Sequence, residues 1–345
     1  MQRFIVLIRS LYSSSFAIML SVTNLSKNIS PDFQLSPISF NQLAGENLAL
    51  IGVSGSGKST LLQLIAGLQQ ADTGSITLYS ERIKGPHDQL VPGHPGLAIL
   101  EQSSHLPHYY YIRDLFQYAN VLETSVAKKL FSICRIEHLM NRKHHEISGG
   151  EQQRIALALL LITSPRWLLL DEPFSHLDLT NKKILQQVLA EVSHQLNITC
   201  LLCSHNPDDI FGWAHRLLVL ENGHLVQVGS PETVYHAPQN RYVAGLLGDF
   251  YSLSPELAQV FFPGRIQRET SDCWMVRPEH LLFQSESTPQ SVKATILSVT
   301  LAGRDYKVEV AAMDQRLSLY TQTNNWKVDT EGYLLATNGY CFPDC

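Results

Sequence analysis

Gly52-Val53-Ser54-Gly55-Ser56-Gly57-Lys58-Ser59 is the stretch on which the reading of the fold turns. It matches the pattern G-x-x-x-x-G-K-[ST], and it stands where that pattern has a physical meaning. The apolar run Leu48-Ala49-Leu50-Ile51 precedes it and the amphipathic text STLLQLIAGL follows, so the loop joins a strand to a helix. Glycines let the backbone turn its N–H groups inward around phosphate oxygens, and the helix start adds the positive end of a dipole. Gly52, Ser54, Gly55 and Gly57 would shape the cradle, with Lys58 reaching the β- and γ-phosphates. Ser59 would ligate Mg²⁺, and Thr60 is counted with the nucleotide-binding positions.

Outward from the loop, residues from about 19 to 250 alternate apolar runs with helical stretches, the pattern of a parallel sheet flanked by helices. Trp167-Leu168-Leu169-Leu170 and Ile198-Thr199-Cys200-Leu201-Leu202-Cys203 are uninterrupted apolar runs, as strands covered on both faces are. Each ends on a polar element, Asp171-Glu172 in one case and Ser204-His205 in the other. Ligands of open α/β sheets sit beyond the carboxyl ends of the strands, so these ends are expected to converge on the phosphate loop. Asp171 is placed to hold the shell of a magnesium ion, and Glu172 is the candidate general base for an attacking water. His205, at the end of the next strand, is assigned to the γ-phosphate. The fold class is therefore an α/β P-loop NTPase.

Composition narrows the class. The chain has 345 residues and a formal net charge of −5, which gives no electrostatic ground for nucleic-acid binding. Eighteen consecutive apolar residues occur nowhere, so any membrane association would pass through a partner. Cys134, Cys200, Cys203, Cys273, Cys341 and Cys345 are scattered, which suits a reducing compartment better than a disulfide framework. Cys200 and Cys203 have CxxC spacing but lie in apolar strand text and read as core thiols.

Residues 1–18 are read as an N-terminal extension, with a start that is possibly mis-assigned, and 19–250 as the P-loop domain. A polar, aromatic, helical insert spans about 103–150, with Tyr109-Tyr110-Tyr111 near its start. Residues 251–270, with Pro255, Pro263 and Gly264, read as a linker. From 271 to 345 the text changes to short strands: Val292, Ala294 and Ile296 alternate, the phase slips to Val299 as at a bulge, and Gly303-Arg304-Asp305 makes a turn. This predicts a small all-β domain.

The order of phosphate loop, Gln102 in AILEQSS, ISGGEQQR, WLLLDEP, SHLD and SH resembles the ATP-binding cassette (ABC) ATPases over residues 20–235 or so. The resemblance implies ATP and Mg²⁺ as cofactors, and it adds Gln102 to Ser59 and Asp171 as magnesium-side residues. It also implies that Ser148, Gly149 and Gly150 contact ATP held by a second copy across a head-to-tail homodimer, with Asp178 at the same interface. A pair of glycines at a helix start, with free N–H donors, suits that task. QVGSPETVYHAPQNRYVAGLLG and MVRPEHL resemble importer ATPases with a C-terminal TOBE-type (OB-like) β-domain, and HEISGGEQQR and DEPFSHLD lean toward ferric-iron importers. Sulfate, molybdate, polyamine and sugar importers share most of this text.

The implied protein is the ATP-hydrolysing subunit of a solute importer, peripheral on the cytoplasmic face of the inner membrane. It would work with separate permease subunits, indirectly with a periplasmic or surface solute-binding protein, and with no nucleic acid. The β-domain would sense solute, pack the dimer, or both. Five positions depart from the family: no aromatic where adenine is usually stacked (Asn28 and Ile29, with Phe33 nearest), Ile147 and Glu151 flanking the signature, Asn206 after His205, and ALALLL without an arginine. A weakly active regulatory protein retaining the fold is the alternative from another class. A DNA-repair or translation ATPase of the superfamily fits less well, because only one P-loop is present.

Overall fold

The computed structural model describes residues 18–102, 107, 109–264 and 273–342, so all of the expected extension except Ile18 lies outside the described residues. The chain forms two compact units that divide between Glu232 and Thr233. The first runs β1 (Ile18–Ser30), β2 (Phe33–Leu43), β3 (Leu48–Ile51), α1 (Lys58–Ile65), β4 (Thr73–Leu78), β5 (Glu81–Arg82), β6 (Leu97–Leu100), α2 (Ile112–Ala119), α3 (Thr124–Ile133), α4 (Gly149–Leu161), β7 (Trp167–Asp171), α5 (Leu179–Leu196), β8 (Thr199–Ser204), β9 (Arg216–Glu221) and β10 (His224–Gly229).

Six of these strands make one sheet in the order β10-β9-β3-β8-β7-β6, parallel from β9 to β6 with β10 antiparallel at one edge. Every residue of β3 and β8 is buried, which is why their text shows no polar alternation. A second, antiparallel sheet has the order β2-β1-β4-β5. Leu20, Leu25, Leu35 and Ile38 from that sheet share one core with Leu61, Leu62 and Ile65 of α1 and with Leu48, Leu50, Leu201 and Leu218 of the parallel sheet. A polar stitch runs through this core. Gln42 is wholly buried; its amide donates to the carbonyls of Glu46 and Cys200, and its oxygen accepts from the Trp167 indole at 2.9 Å. Cys200 and Cys203 are core thiols, and burial raises both pKa values, Cys200 to about 12. Among the described residues no helix is long and apolar enough to cross a membrane.

The second unit carries most of α6 (Pro231–His236), then α7 (Arg241–Leu247), β11 (Tyr251–Ser252), α8 (Pro255–Phe261), β12 (Cys273–Val276), β13 (Leu281–Gln284), β14 (Ser291–Ala302), β15 (Asp305–Ala312), β16 (Gln315–Thr321), β17 (Glu331–Ala336) and β18 (Tyr340–Phe342). Its sheets are antiparallel, in the orders β13-β17-β14-β15-β16 and β11-β12-β18, so the unit is rich in β-structure as the sequence indicates. The register of β14 against β15 shifts between Ile296 and Ser298, where the alternation slips.

Two boundaries differ from the sequence reading. The division falls upstream of residue 250, because 233–250 belongs with the β-rich unit. Ala244 of α7 packs with Met275, Tyr340 and Phe342. The buried Arg277 guanidinium donates to the carbonyls of Tyr235, Ala244 and Asp249 and stacks 4.0 Å from the Tyr235 ring. Residues 251–264 of the expected linker are folded, and Leu257, Ala258 and Phe261 enter the core. Pro255, read as punctuation, is the first residue of α8, where a missing N–H costs nothing, and Ser254 caps the helix. Cys273 is disulfide-bonded, which the reading of its thiols as reduced did not anticipate.

Candidate active site

The carboxyl ends of β3, β8 and β7 lie side by side: Ile51 pairs in register with Ser204, and Asp171 with Cys203. The loop after β3 reaches α1 through Gly57, whose φ of 102° lies in the left-handed region that a side chain would strain. Lys58 is 6% exposed, and its amine donates to the carbonyls of Gly52 at 2.8 Å and Val53 at 3.0 Å, inside the loop's own curve. Ser59 Oγ donates to Asp171 Oδ1 at 3.2 Å. Burial raises the Asp171 pKa, the Ser59 hydrogen bond opposes that, and the neighbouring Glu172 charge adds to the rise. Two hard oxygen ligands thus converge beside a loop of backbone donors, a set whose chemistry fits Mg²⁺ carried on a polyphosphate.

Glu172 has a positive φ of 50°, a conformation held at a cost for a residue with a side chain. The cost is met locally. Its N–H donates to the Cys203 carbonyl at 3.0 Å, and its carboxylate takes the Ser175 hydroxyl at 3.2 Å and His205 Nδ1 at 2.8 and 2.9 Å. The His205 side chain remains 59% exposed and that of Glu172 only 14%. A sheltered carboxylate oriented by an exposed imidazole can accept a proton from a water positioned at the phosphates. A cavity of about 620 Å³ is lined by Ser54, Gly55, Gly57, Lys58, Ser59, Thr60, Gln102, Glu172 and His205, with Ile29, Phe33 and Val53 as its apolar wall.

Ser148, Gly149 and Gly150 do not line this cavity. They open α4, where Ser148 and Glu151 form a capping box: Glu151 N–H donates to Ser148 Oγ at 3.4 Å, and Ser148 N–H donates to the Glu151 carboxylate at 2.7 Å. Partial burial works against the Glu151 charge, but the Ser148 hydrogen bonds with Arg142 and Arg154 outweigh it and lower the pKa. Ser148 and Gly149 are exposed, and Gly150 is buried. Asp178 caps α5, accepting from the N–H groups of Thr180 and Asn181 at 2.9 Å each.

The family described as ABC transporter matches residues 35–175. The sulfate/thiosulfate import ATP-binding protein CysA of Pseudomonas syringae pv. tomato is 36% identical over 251 residues, covering 68% of this chain and 74% of that protein. The spermidine/putrescine import ATP-binding protein PotA of Pseudomonas fluorescens is 32% identical over 309 residues, 86% of this chain and 81% of its own. The chain belongs to the ABC transporter ATPases. Among solved structures, cbiO1 of Clostridium perfringens, part of the ABC transporter complex cbiONQ, superposes with a TM-score of 0.55 at 26% identity, covering 64% of this chain and 91% of that one.

The chain is thus an ATP hydrolase with the P-loop NTPase fold. Within this ABC ATPase, several contacts escape a reading of motifs alone. Ile29 and Phe33 lie in the cavity wall, and Phe33 reaches it from the first position of β2; only its being the nearest aromatic signalled it. Glu151, which departs from the family's commoner glutamine, completes the S-x-x-E capping box, a signal already present in the sequence. Asn206, in place of the family aspartate, keeps a cap by accepting from the N–H of Asp208 at 2.9 Å.

Proposed function

We propose that this chain is the energy-coupling subunit of an importer, two copies of which close head to tail on two ATP molecules. The observation that carries the reading is a division within one chain. The phosphate loop, Gln102, Glu172 and His205 share a cavity, whereas Ser148 and Gly149 stand exposed at a helix start outside it. In this reading Lys58 and the loop amides hold the triphosphate, Glu172 takes a proton from the attacking water, and His205 orients Glu172 and meets the γ-phosphate. Magnesium arriving with ATP would be held by Ser59, Asp171 and Gln102, where it would neutralise phosphate charge. Exposed aromatics of the helical insert, Tyr109, Tyr110 and Tyr118, support docking to membrane permease subunits there, and with it a place on the cytoplasmic face of the membrane. The β-rich unit is assigned as a TOBE-like domain that packs the pair. As for cargo, the names of CysA and PotA favour sulfate or a polyamine over ferric iron, whose support is the lettering of HEISGGEQQR and DEPFSHLD. The retained contacts among Ser59, Asp171, Glu172 and His205 weigh against a weakly active regulator.

Mixing two inactive variants tests the composite site. Lys58→Ala removes the phosphate contact and Ser148→Arg blocks the signature face, so each alone is expected to show no turnover. Mixed in equal amounts, random pairing leaves one intact site in half the dimers, and roughly a quarter of wild-type ATPase should return. No recovery would sink the two-copy reading.

Phe33 gives a second expectation. Its ring lies 3.2 Å from where a Cβ on Gly57 would stand, so it borders the phosphate loop and is the aromatic available to a base. Base–aromatic stacking is worth about 1–3 kcal/mol, so Phe33→Ala should weaken ATP binding about tenfold. Inorganic triphosphate, measured by competition, should lose little; an equal loss for both would show that Phe33 shapes the loop and does not hold the base.

A further inference from the structure

The start of α5 touches both halves of the machinery at once. Asn181 Oδ1 accepts from Arg154 Nη1 at 3.4 Å, and the same nitrogen donates to the Gly150 carbonyl at 3.3 Å. From its other side Asn181 is fixed by Asp178, to which its N–H and its side-chain amide donate at 2.9 and 2.6 Å. The signature segment is thereby tied to the first turn of α5.

One residue further on, the contacts turn toward the opposite end of the site. Lys182 Nζ lies 2.5 Å from Asp209 Oδ1, with the two side chains 17% and 7% exposed. The other oxygen of Asp209 accepts from Ser204 Oγ at 2.6 Å, and Ser204 is wholly buried and immediately precedes His205. Gln186, one helical turn along, donates to the Asp208 carbonyl at 3.3 Å. The turn that carries His205 out of β8 is therefore gripped by α5 at two points. A buried ion pair adds little to stability on balance, because desolvation offsets its attraction, so its place in the chain points to geometry as its use.

We propose that Asn181 and Lys182 are positioning residues that hold Ser148–Gly150 in fixed register with the His205–Glu172 pair. The proposal rests on the reading of those two segments given above. The signature segment serves a partner copy's ATP and His205 serves the copy's own, so one rigid helix start makes the two sites of a pair respond together. Displacing α5 moves both; cutting the Lys182 link frees His205 from the signature.

The test uses the full-length chain. Turnover, its Hill coefficient in ATP, and the Kd of a fluorescent ATP analogue are measured for wild type, Lys182→Ala and Lys182→Arg. Lys182→Ala is expected to lose about tenfold or more in kcat, since small displacements of catalytic groups carry such factors. Its Kd should stay within about twofold of wild type and its Hill coefficient should fall toward one, because a single copy still binds nucleotide with its own phosphate loop. Lys182→Arg, which keeps the charge facing Asp209, should recover most of the rate. Unchanged kcat and cooperativity in Lys182→Ala, a loss that Lys182→Arg fails to restore, or a loss of affinity matching the loss of rate would each overturn the proposal. Glu172→Gln run alongside separates the failures. Full turnover in that variant removes the underlying reading and this proposal with it, whereas an inactive Glu172→Gln beside a normal Lys182→Ala removes the positioning role alone.

Discussion

Glu172→Gln is expected to cut ATP turnover by about a thousandfold while leaving ATP binding intact, the scale at which a positioned general base contributes. The structure makes this substitution clean. A glutamine oxygen still accepts from the Ser175 hydroxyl and from His205 Nδ1, so the side chain keeps the position it has in the native protein. Backbone strain at residue 172 is unchanged, since the left-handed φ and the N–H bond to Cys203 do not depend on charge. Only basicity is lost. Because the phosphate loop and the signature are untouched, the variant should accumulate as an ATP-bound pair, seen by light scattering as a doubling of mass that reverses when ATP is removed. Turnover near wild type would remove Glu172 from the role of base and leave the water to be activated elsewhere.

The sequence carries most of this site because its chemistry sits at strand ends. An apolar run followed by a polar pair can be recognised without knowing the partners, and the three runs before Gly52, Asp171 and Ser204 lie in adjacent strands. Contacts between segments distant in sequence are another matter. Nothing in the spacing of Asn181 and Lys182 tells that one meets Arg154 and the other Asp209, because α5 and the turn after β8 meet only through the fold. Domain edges were hidden for a similar reason. Pro255 marks a helix start and not a linker, and the buried Arg277 draws 235–249 to the β-rich unit through backbone carbonyls that carry no sequence signal. Gly149 and Gly150 likewise look alike as letters, and the structure separates them, one exposed and the other buried against Asn181.

Gly149→Ala and Gly150→Ala are both expected to suppress hydrolysis while moving stability in opposite directions. A Cβ on Gly149 would have nothing within 4 Å, and the residue is exposed at the first position of α4. Alanine there should leave the fold intact and add up to about 1 kcal/mol through helix propensity, raising Tm slightly. Its methyl group would nevertheless occupy the open surface that, in the proposed pair, faces the partner's nucleotide. A Cβ on Gly150 would stand 2.4 Å from Asn181 Cγ and Oδ1. Asn181 has little freedom to withdraw, since Asp178 holds its amide and Arg154 its oxygen. The overlap must therefore part α4 from α5 or expel Asn181, a strain of about 1–3 kcal/mol that lowers Tm. Thermal melts and ATPase rates of the two variants separate the roles: turnover lost with a steady or raised Tm marks Gly149 as the face offered to the partner, and turnover lost with a lowered Tm marks Gly150 as the close contact between helices. A Gly150→Ala protein that melts like wild type would mean that the approach of Asn181 is not what requires glycine there, and the tie between signature and α5 would lose its steric half.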